Sequence, residues 1–584
     1  MPKKSKMHRI YLFIPVFIIG SLQLLFAQSF VTPFELSEKT QSATYFECIR
    51  FYKQLDAFSK SIQIKTFDTT DSGYPLQLVM FSNDADFNPA VWHSQNKVVI
   101  LINNGIHPGE PDGIDASMLL FRDIVKGKIK IPENIVLAVI PVYNIGGCLN
   151  RNNNSRVNQN GPLSYGFRGN AQNLDLNRDF IKADSKDALV FEKIFHWLNP
   201  EILIDNHVSD GADYQHTMTL LTTQHDKLQY ETGDFLHNIY EPAIFNNMQN
   251  RNWPITPYVN FEEANPEKGW EAFYDAPRFS SGYAALFETM SFIPETHMLK
   301  PFADRVESTY ALMHAMIEEA STYGSEIIEK RKNSLEAIKK QTLFPLSWKV
   351  DSSQFEFIHF KGYETGLKTS EVTGMQRIFY DHSKPFDKDI KYYNTFKPCV
   401  VVEKPKAYII PQGWNDVIER LKVNGVIMKR IANDTTIDVA YYHIDDYKSY
   451  TSPYEKHHRN YDIKLSAHNE AIQFLKGDYI IYTGNATDRY VVETLEPLGD
   501  DSFFSWNFFD AILQQKEGYS NYRWEDVAAQ YLQTHPELKQ QLMDKKKTDT
   551  AFAASADAQL DFVYKHSPYY EPEHLRYPVF RLIK

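Results

Sequence analysis

Between about Phe34 and Tyr323, short and wholly apolar runs alternate with stretches in which apolar residues recur every three or four positions. Val98–Ile102, Ile135–Val142 and Ile202–Ile204 are of the first kind. They are too uniformly apolar for half-exposed strands, so each predicts a strand buried on both faces. Ala116–Val125, Ala188–Leu198 and Arg305–Ala320 are of the second kind and predict helices with one apolar face. Strands alternating with helices imply an α/β fold, with a mainly parallel or mixed sheet and helices on both faces. Ligands of such folds sit in the crevice outside the carboxyl ends of the strands.

The charged segment Glu326 to Lys340 predicts a helix that closes this first domain, residues 28–340. Beyond it the pattern changes. Residues 345–584 hold many Tyr, Phe and Val residues in short β-prone runs such as Val400–Val402 and Tyr479–Tyr482. They predict a strand-rich α+β second domain, with helices near Trp414–Val423 and Asn469–Leu475. The region from Lys545–Lys547 to Ser555 reads as a polar loop.

Composition narrows the possibilities. A chain of 584 residues exceeds what one core supports, and 43% hydrophobic with 14% aromatic residues describes a globular protein. The formal charge is −12, although residues 1–27 carry four cations, Lys3, Lys4, Lys6 and Arg9. A surface this acidic repels phosphate backbones, so no nucleic-acid partner is expected. The same residues 1–27 have a basic start, an apolar stretch from Ile10 to Ala27 and a small residue before Gln28-Ser29. This is the pattern of a secretory signal peptide, and it predicts a secreted or periplasmic protein. If the leader stayed uncleaved, it would be the one membrane contact. Cys48, Cys148 and Cys399 permit at most one disulfide, and none has the C-x-x-C spacing of a thiolate zinc site.

The chemistry begins where the first strand ends. Asn103-Asn104-Gly105-Ile106-His107-Pro108-Gly109-Glu110 delivers a His and a Glu onto a Gly/Pro-shaped loop, and among nineteen His this is the only H-x-x-E. A second strand, Glu201 to Asn206, ends in His207. Two His and one carboxylate with an open fourth position are a common donor set for hydrolytic zinc. His107, Glu110 and His207 would supply it, with Asp205 or Asp210 orienting an imidazole. Asn177-Arg178, within Asn173-Leu-Asp-Leu-Asn-Arg-Asp-Phe180, sets an amide beside a guanidinium, whose planar fork matches a carboxylate. The same Arg can instead pair with Asp175 or Asp179. Finally, Glu288 and Glu295 lie within Phe287–Pro301, and either can be a general base.

Taken together, H-x-x-E, the N-R pair in N-L-D-L-N-R-D-F, a strand-end His and an E-T segment before Leu299-Lys-Pro301 resemble the M14 zinc carboxypeptidase family. The resemblance covers roughly residues 40–320; the remainder looks like an accessory domain that some bacterial members carry. It implies one zinc ion on His107, Glu110 and His207. It also implies a substrate carboxylate on Asn177 and Arg178, and Glu295 rather than Glu288 as the base. For the arginine that steadies the oxyanion, Arg156 is favoured over Arg168. Tyr274 and Tyr283 are candidates for a tyrosine that touches substrate.

The implied activity is hydrolysis of the carboxyl-terminal peptide bond of peptides that carry a free carboxylate. The residues after His207, Val-Ser-Asp-Gly, depart from the family's pattern and leave the pocket's shape open. Two rival readings keep the same residues: a zinc deacylase or amidase acting on modified amino acids or cell-wall peptides, and a non-catalytic binding protein. No G-x-S-x-G, H-E-x-x-H, P-loop or G-x-G-x-x-G is present, so serine-hydrolase, thermolysin-like and nucleotide-dependent readings lack support.

Overall fold

The computed structural model of the protein describes residues 30–261 and 265–583. The leader read over residues 1–27 lies outside the described residues. Among the described residues, ten strands run up to residue 297. They are β1 (Ile62–Thr69), β2 (Pro75–Phe81), β3 (Val98–Asn103), β4 (Ile135–Ile140), β5 (Ile202–Asp205), β6 (His207–Ser209), β7 (Met218–Thr222), β8 (Thr256–Pro257), β9 (Trp270–Glu271) and β10 (Met290–His297). All except β9 form one sheet, ordered β1-β2-β4-β3-β5-β10-β7-β8, with β6 pairing β10. The centre, β4-β3-β5-β10, is parallel; β2 and β7 join it antiparallel on either side, and β8 pairs parallel with β7.

Every residue of β3, β4 and β5 is buried, as their unbroken apolar runs require. Helices Asp112–Val125, Lys186–Leu198 and Phe302–Thr322 enclose the three predicted amphipathic segments and cover the sheet. Helix Gly324–Lys340 follows as the charged segment predicts.

The carboxyl-terminal region is strand-rich. Its strands are β11 (Leu343–Val350), β12 (Glu356–Thr369), β13 (Gln376–Tyr393), β14 (Phe396–Glu403), β15 (Ala407–Ile410), β16 (Lys429–Arg430), β17 (Thr435–Ser449), β18 (Asn460–Phe474), β19 (Tyr479–Tyr482) and β20 (Phe580–Leu582). It is tied to the first part. Strand β13 pairs with β9, and one hydrophobic core includes Val99 and Phe195 together with Tyr408, Tyr490 and Trp506.

Two sequence expectations fail here. Asn469–Leu475 is not helical: Asn469 to Phe474 form the end of β18, paired residue for residue with β17. A partner strand outweighs a helix-like grouping of apolar residues. The stretch from Lys545 to Ser555 is not a loop but the end of helix Pro536–Thr548 and the short helix Thr550–Ala553. Pro536 opens the first helix, and three Lys in its last turn complement its dipole. Leu538 and Leu542 pack with Trp524 and Phe552 in a separate small core. Cys48, Cys148 and Cys399 are free thiols. No helix among the described residues is long and apolar enough to cross a membrane.

One buried ion pair pins the loops at the sheet's carboxyl edge. Arg305, fully buried in helix Phe302–Thr322, donates through Nε to Asp112 at 2.9 Å. It also donates to the carbonyls of Asn160, Met298, Lys300 and Gly161. Asp112 opens the helix that follows the His-x-x-Glu loop, and Thr296, beside Glu295, donates to the same carboxylate at 2.5 Å. Replacing Arg305 with Ala leaves Asp112 charged, buried and unpaired, which typically costs about 3–5 kcal/mol. Chemical denaturation should show a loss of this size; an unchanged midpoint would remove the pair from the list of supports.

Candidate active site

Three neighbouring strands bring the chemistry together. His107 and Glu110 follow β3, His207 begins β6 directly after β5, and Glu295 lies on β10 in register opposite His207. Gly109 admits the wall of the site, because a Cβ there would lie 2.3 Å from Arg156 Nε. These residues line a cavity of about 660 Å³ at the carboxyl edge of the parallel strands.

Both imidazoles turn Nδ1 towards one carboxylate. His107 Nδ1 lies 3.1 Å from Glu110 Oε1, and His207 Nδ1 lies 3.1 Å from Glu110 Oε2. Their other nitrogens are held by aspartates: His107 Nε2 is 2.8 Å from Asp175 and His207 Nε2 is 3.1 Å from Asp205. An Nε2–H donated to an aspartate leaves a lone pair on Nδ1. Donor atoms of His107, Glu110 and His207 all lie within 4.8 Å of one another. His107 Nδ1 is buried without a hydrogen-bond partner, so a cation is the group this arrangement fits. Of the two aspartates read as orienting groups, Asp205 takes the role, while Asp210 accepts from Asn158 at 2.9 Å. Asp175 was foreseen only as a partner for an arginine.

The electrostatics agree with the geometry. Burial alone would raise the Glu110 carboxyl, but His107 and Arg156 hold it well below the usual carboxylate range. Burial opposes charge on His207, yet Asp205 pushes its pKa well up. Burial pushes Glu295 up to about 8; His207 and Arg168 pull against that shift, and Glu110 adds to it. Glu288 lies elsewhere, at the amino end of β10, where it accepts from Gln229 N at 3.1 Å. It does not line the cavity.

Arg156 and Arg168 both border the metal donors. Arg156 Nη2 donates to Glu110 at 2.6 Å; Arg168 Nε donates to Asp175 at 2.9 Å, and its Nη1 lies 3.5 Å from Glu110. Asn177 and Arg178 lie on a 3-10 turn, Leu176–Arg178, capped by Asp175. Among the described residues Arg178 has no ion-pair partner. Asp179 is engaged by Lys182 and Ser185, and Asp175 by His107 and Arg168. The Arg178 guanidinium carbon instead lies 4.6 Å from the Phe279 ring centre. Neither expected tyrosine reaches the cavity. Tyr274 bonds Asp500, and Tyr283 is buried against Asn424 at 2.6 Å. Tyr258, after β8, lines it instead. Its two-residue strand is too short to leave a periodic signal.

Residues 49–260 match the family described as zinc carboxypeptidase, Peptidase_M14. Curated relatives include carboxypeptidase 2 of Trichophyton rubrum, 20% identical over 458 residues, which cover 74% of this chain and 77% of the relative. Carboxypeptidase 2 of Trichophyton tonsurans is 21% identical over 440 residues, covering 71% and 74%. Among solved structures, a metallo-carboxypeptidase from Burkholderia cenocepacia is similar over 48% of this chain and 70% of its own, with 13% identity and a TM-score of 0.37. Carboxypeptidase A from Helicoverpa armigera is similar over 49% and 74%, with 12% identity and a TM-score of 0.36. The chain carries an M14 zinc carboxypeptidase domain and is a hydrolase of the metallopeptidase class. Its His-Glu-His set can bind one metal ion.

Metal analysis of the purified protein should therefore give one zinc per chain, lost in His107→Ala and His207→Ala. Asp205→Asn, which leaves the donors intact, should weaken zinc binding about 10–100-fold in a chelator competition. Zinc retained at full stoichiometry by both His variants would place the metal elsewhere.

Proposed function

We propose that the protein removes the carboxyl-terminal residue of peptides, with Glu295 as general acid–base beside the zinc donors. The observation that carries this reading is the register of β10 against β6, which sets Glu295 opposite His207 in the cavity wall. His107, Glu110 and His207 would hold the zinc, which when bound would supply Lewis acidity to the scissile carbonyl and to an attacking water. Glu295 takes the proton of the attacking water and passes it to the leaving amine. Burial raises the Glu295 carboxyl, and His207 and Arg168 work against that shift, favouring the charged form that a general base needs.

Arg156 steadies the oxyanion as it forms, a role for which Arg168, on the same rim, is the alternative. Asn177 and Arg178 hold the substrate's terminal carboxylate. The absence of an ion-pair partner for Arg178 among the described residues supports this, since a guanidinium beside a cavity invites an anion. Leu221, Phe273, Phe279, Ile293 and Met298 line the same cavity and favour an apolar terminal side chain. From the leader pattern of residues 1–27, we place the mature protein outside the cytoplasm.

Glu295→Gln should keep zinc while kcat falls by a factor on the order of 10²–10⁴. Full turnover in that variant would remove Glu295 from the reaction. Peptides read by mass should lose one carboxyl-terminal residue at a time, and carboxyl-amidated versions should resist. Equal cleavage of amidated peptides, unaffected by Arg178→Ala, would support the deacylase or amidase reading instead.

A further inference from the structure

The loop that carries the site's polar residues is held from the far end of the chain. Residues 450–459 connect β17 and β18, and their tip is a two-residue turn in which Tyr454 and His457 exchange backbone hydrogen bonds at 2.8 and 3.0 Å. Its central residues, Glu455 (φ 47°) and Lys456 (φ 71°), both adopt the left-handed conformation. Such turns strongly favour Asn-Gly, so a Glu-Lys pair is a poor choice for the turn itself. Strained residues persist where their surroundings hold them, often at functional sites.

Glu455 is held by what it touches. Its carboxylate accepts from the backbone N–H of Asp175 at 2.8 Å. Asp175 in turn orients His107 through Nε2 at 2.8 Å and accepts from Asn177 N–H at 2.9 Å, capping the turn that presents Asn177 and Arg178. One carboxylate from residue 455 therefore sits behind both the metal donor and the Asn-Arg pair. The same loop is gripped twice more. His457 bonds Asp184 at 2.6 Å, and Arg420 donates to the carbonyls of Lys182 and Ala183. Tyr454 stacks on Trp506, with ring centres 6.1 Å apart, and this backs the tip.

We infer that Glu455 is a positioning residue of the metal and substrate site, so that the carboxyl-terminal region completes the active site rather than merely adjoining it. The inference rests on His107, Glu110 and His207 forming one zinc site.

The test uses the full chain and zinc alone, competed against a chromophoric chelator, with kcat and KM measured in parallel on one peptide. Glu455→Ala should weaken zinc binding about tenfold, the lower end for groups that orient ligands, and should raise KM. Glu455→Gln keeps an acceptor at the same reach and should stay close to the native protein in zinc affinity. The decisive variant is the double change Glu455→Asn with Lys456→Gly. It should stabilise the turn, yet Asn is one methylene too short to reach Asp175 N–H. It should therefore fold as well as the native chain by circular dichroism while showing the same tenfold loss. If this variant binds zinc and substrate like the native chain, Glu455 serves the turn alone and the inference fails. If the native chain itself binds no zinc, the donor assignment fails as well, so the two failures are told apart.

Discussion

An imidazole offers a metal only the nitrogen that carries no proton, and Asp175 and Asp205 decide which nitrogen that is. Each aspartate accepts a hydrogen bond from Nε2–H, so in the neutral rings both Nδ1 lone pairs face the two oxygens of Glu110. Without a cation or added protons, three electron-rich groups would confront one another inside a buried wall. The cost of that arrangement is the driving force for binding an ion, and it is borne by the fold. Neither aspartate touches the metal position, yet the donor set would not be defined without them.

The fold can bear the cost because the donors sit at the ends of strands held by pairing on both sides and by burial. Strands β3, β5 and β10 are adjacent and parallel, and β3 and β5 are buried along their whole length. Their register fixes the heights of His107, His207 and Glu295. The loops beyond them are tied to each other by the buried Arg305–Asp112 pair, whose further bonds run to four backbone carbonyls. This fixed placement matters for function. Donor groups aimed before substrate arrives need no reorganisation when charge develops.

The parts legible in the sequence were those written in local patterns. Unbroken apolar runs gave β3, β4 and β5, and the polar residues at their ends gave His107, Glu110 and His207. Glu288 precedes β10 and does not line the cavity, whereas Glu295 on β10 does, a difference in position that motif reading does not measure. Tyr258 and the role of Asp175 were not legible, because each depends on a loop's path through space. Asn469–Leu475 was misread for a related reason. The far half of β18 is largely exposed on both faces and takes its conformation from β17, so its own apolar spacing carries little information. Glu455 lies 280 residues from its partner Asp175, and no local pattern links them.

That last separation bears on how the two parts of the chain relate. A loop such as 174–185 has many backbone groups and little regular structure with which to satisfy them. Here the missing partners come from the carboxyl-terminal region: Glu455 takes an N–H, and Arg420 covers two carbonyls. Arg489 likewise caps the carbonyl of Ala285, just before β10, at 2.8 Å. Buried donors and acceptors of this kind are costly to leave unpaired, so separating the two parts would expose or orphan groups on the site's own loop. The hydrophobic core gives the same result, since Tyr490 stacks against Phe287 with ring centres 5.5 Å apart. Physical dependence of the site on residues beyond 340 thus follows from where hydrogen bonds and aromatic faces find their partners, whatever else that region binds.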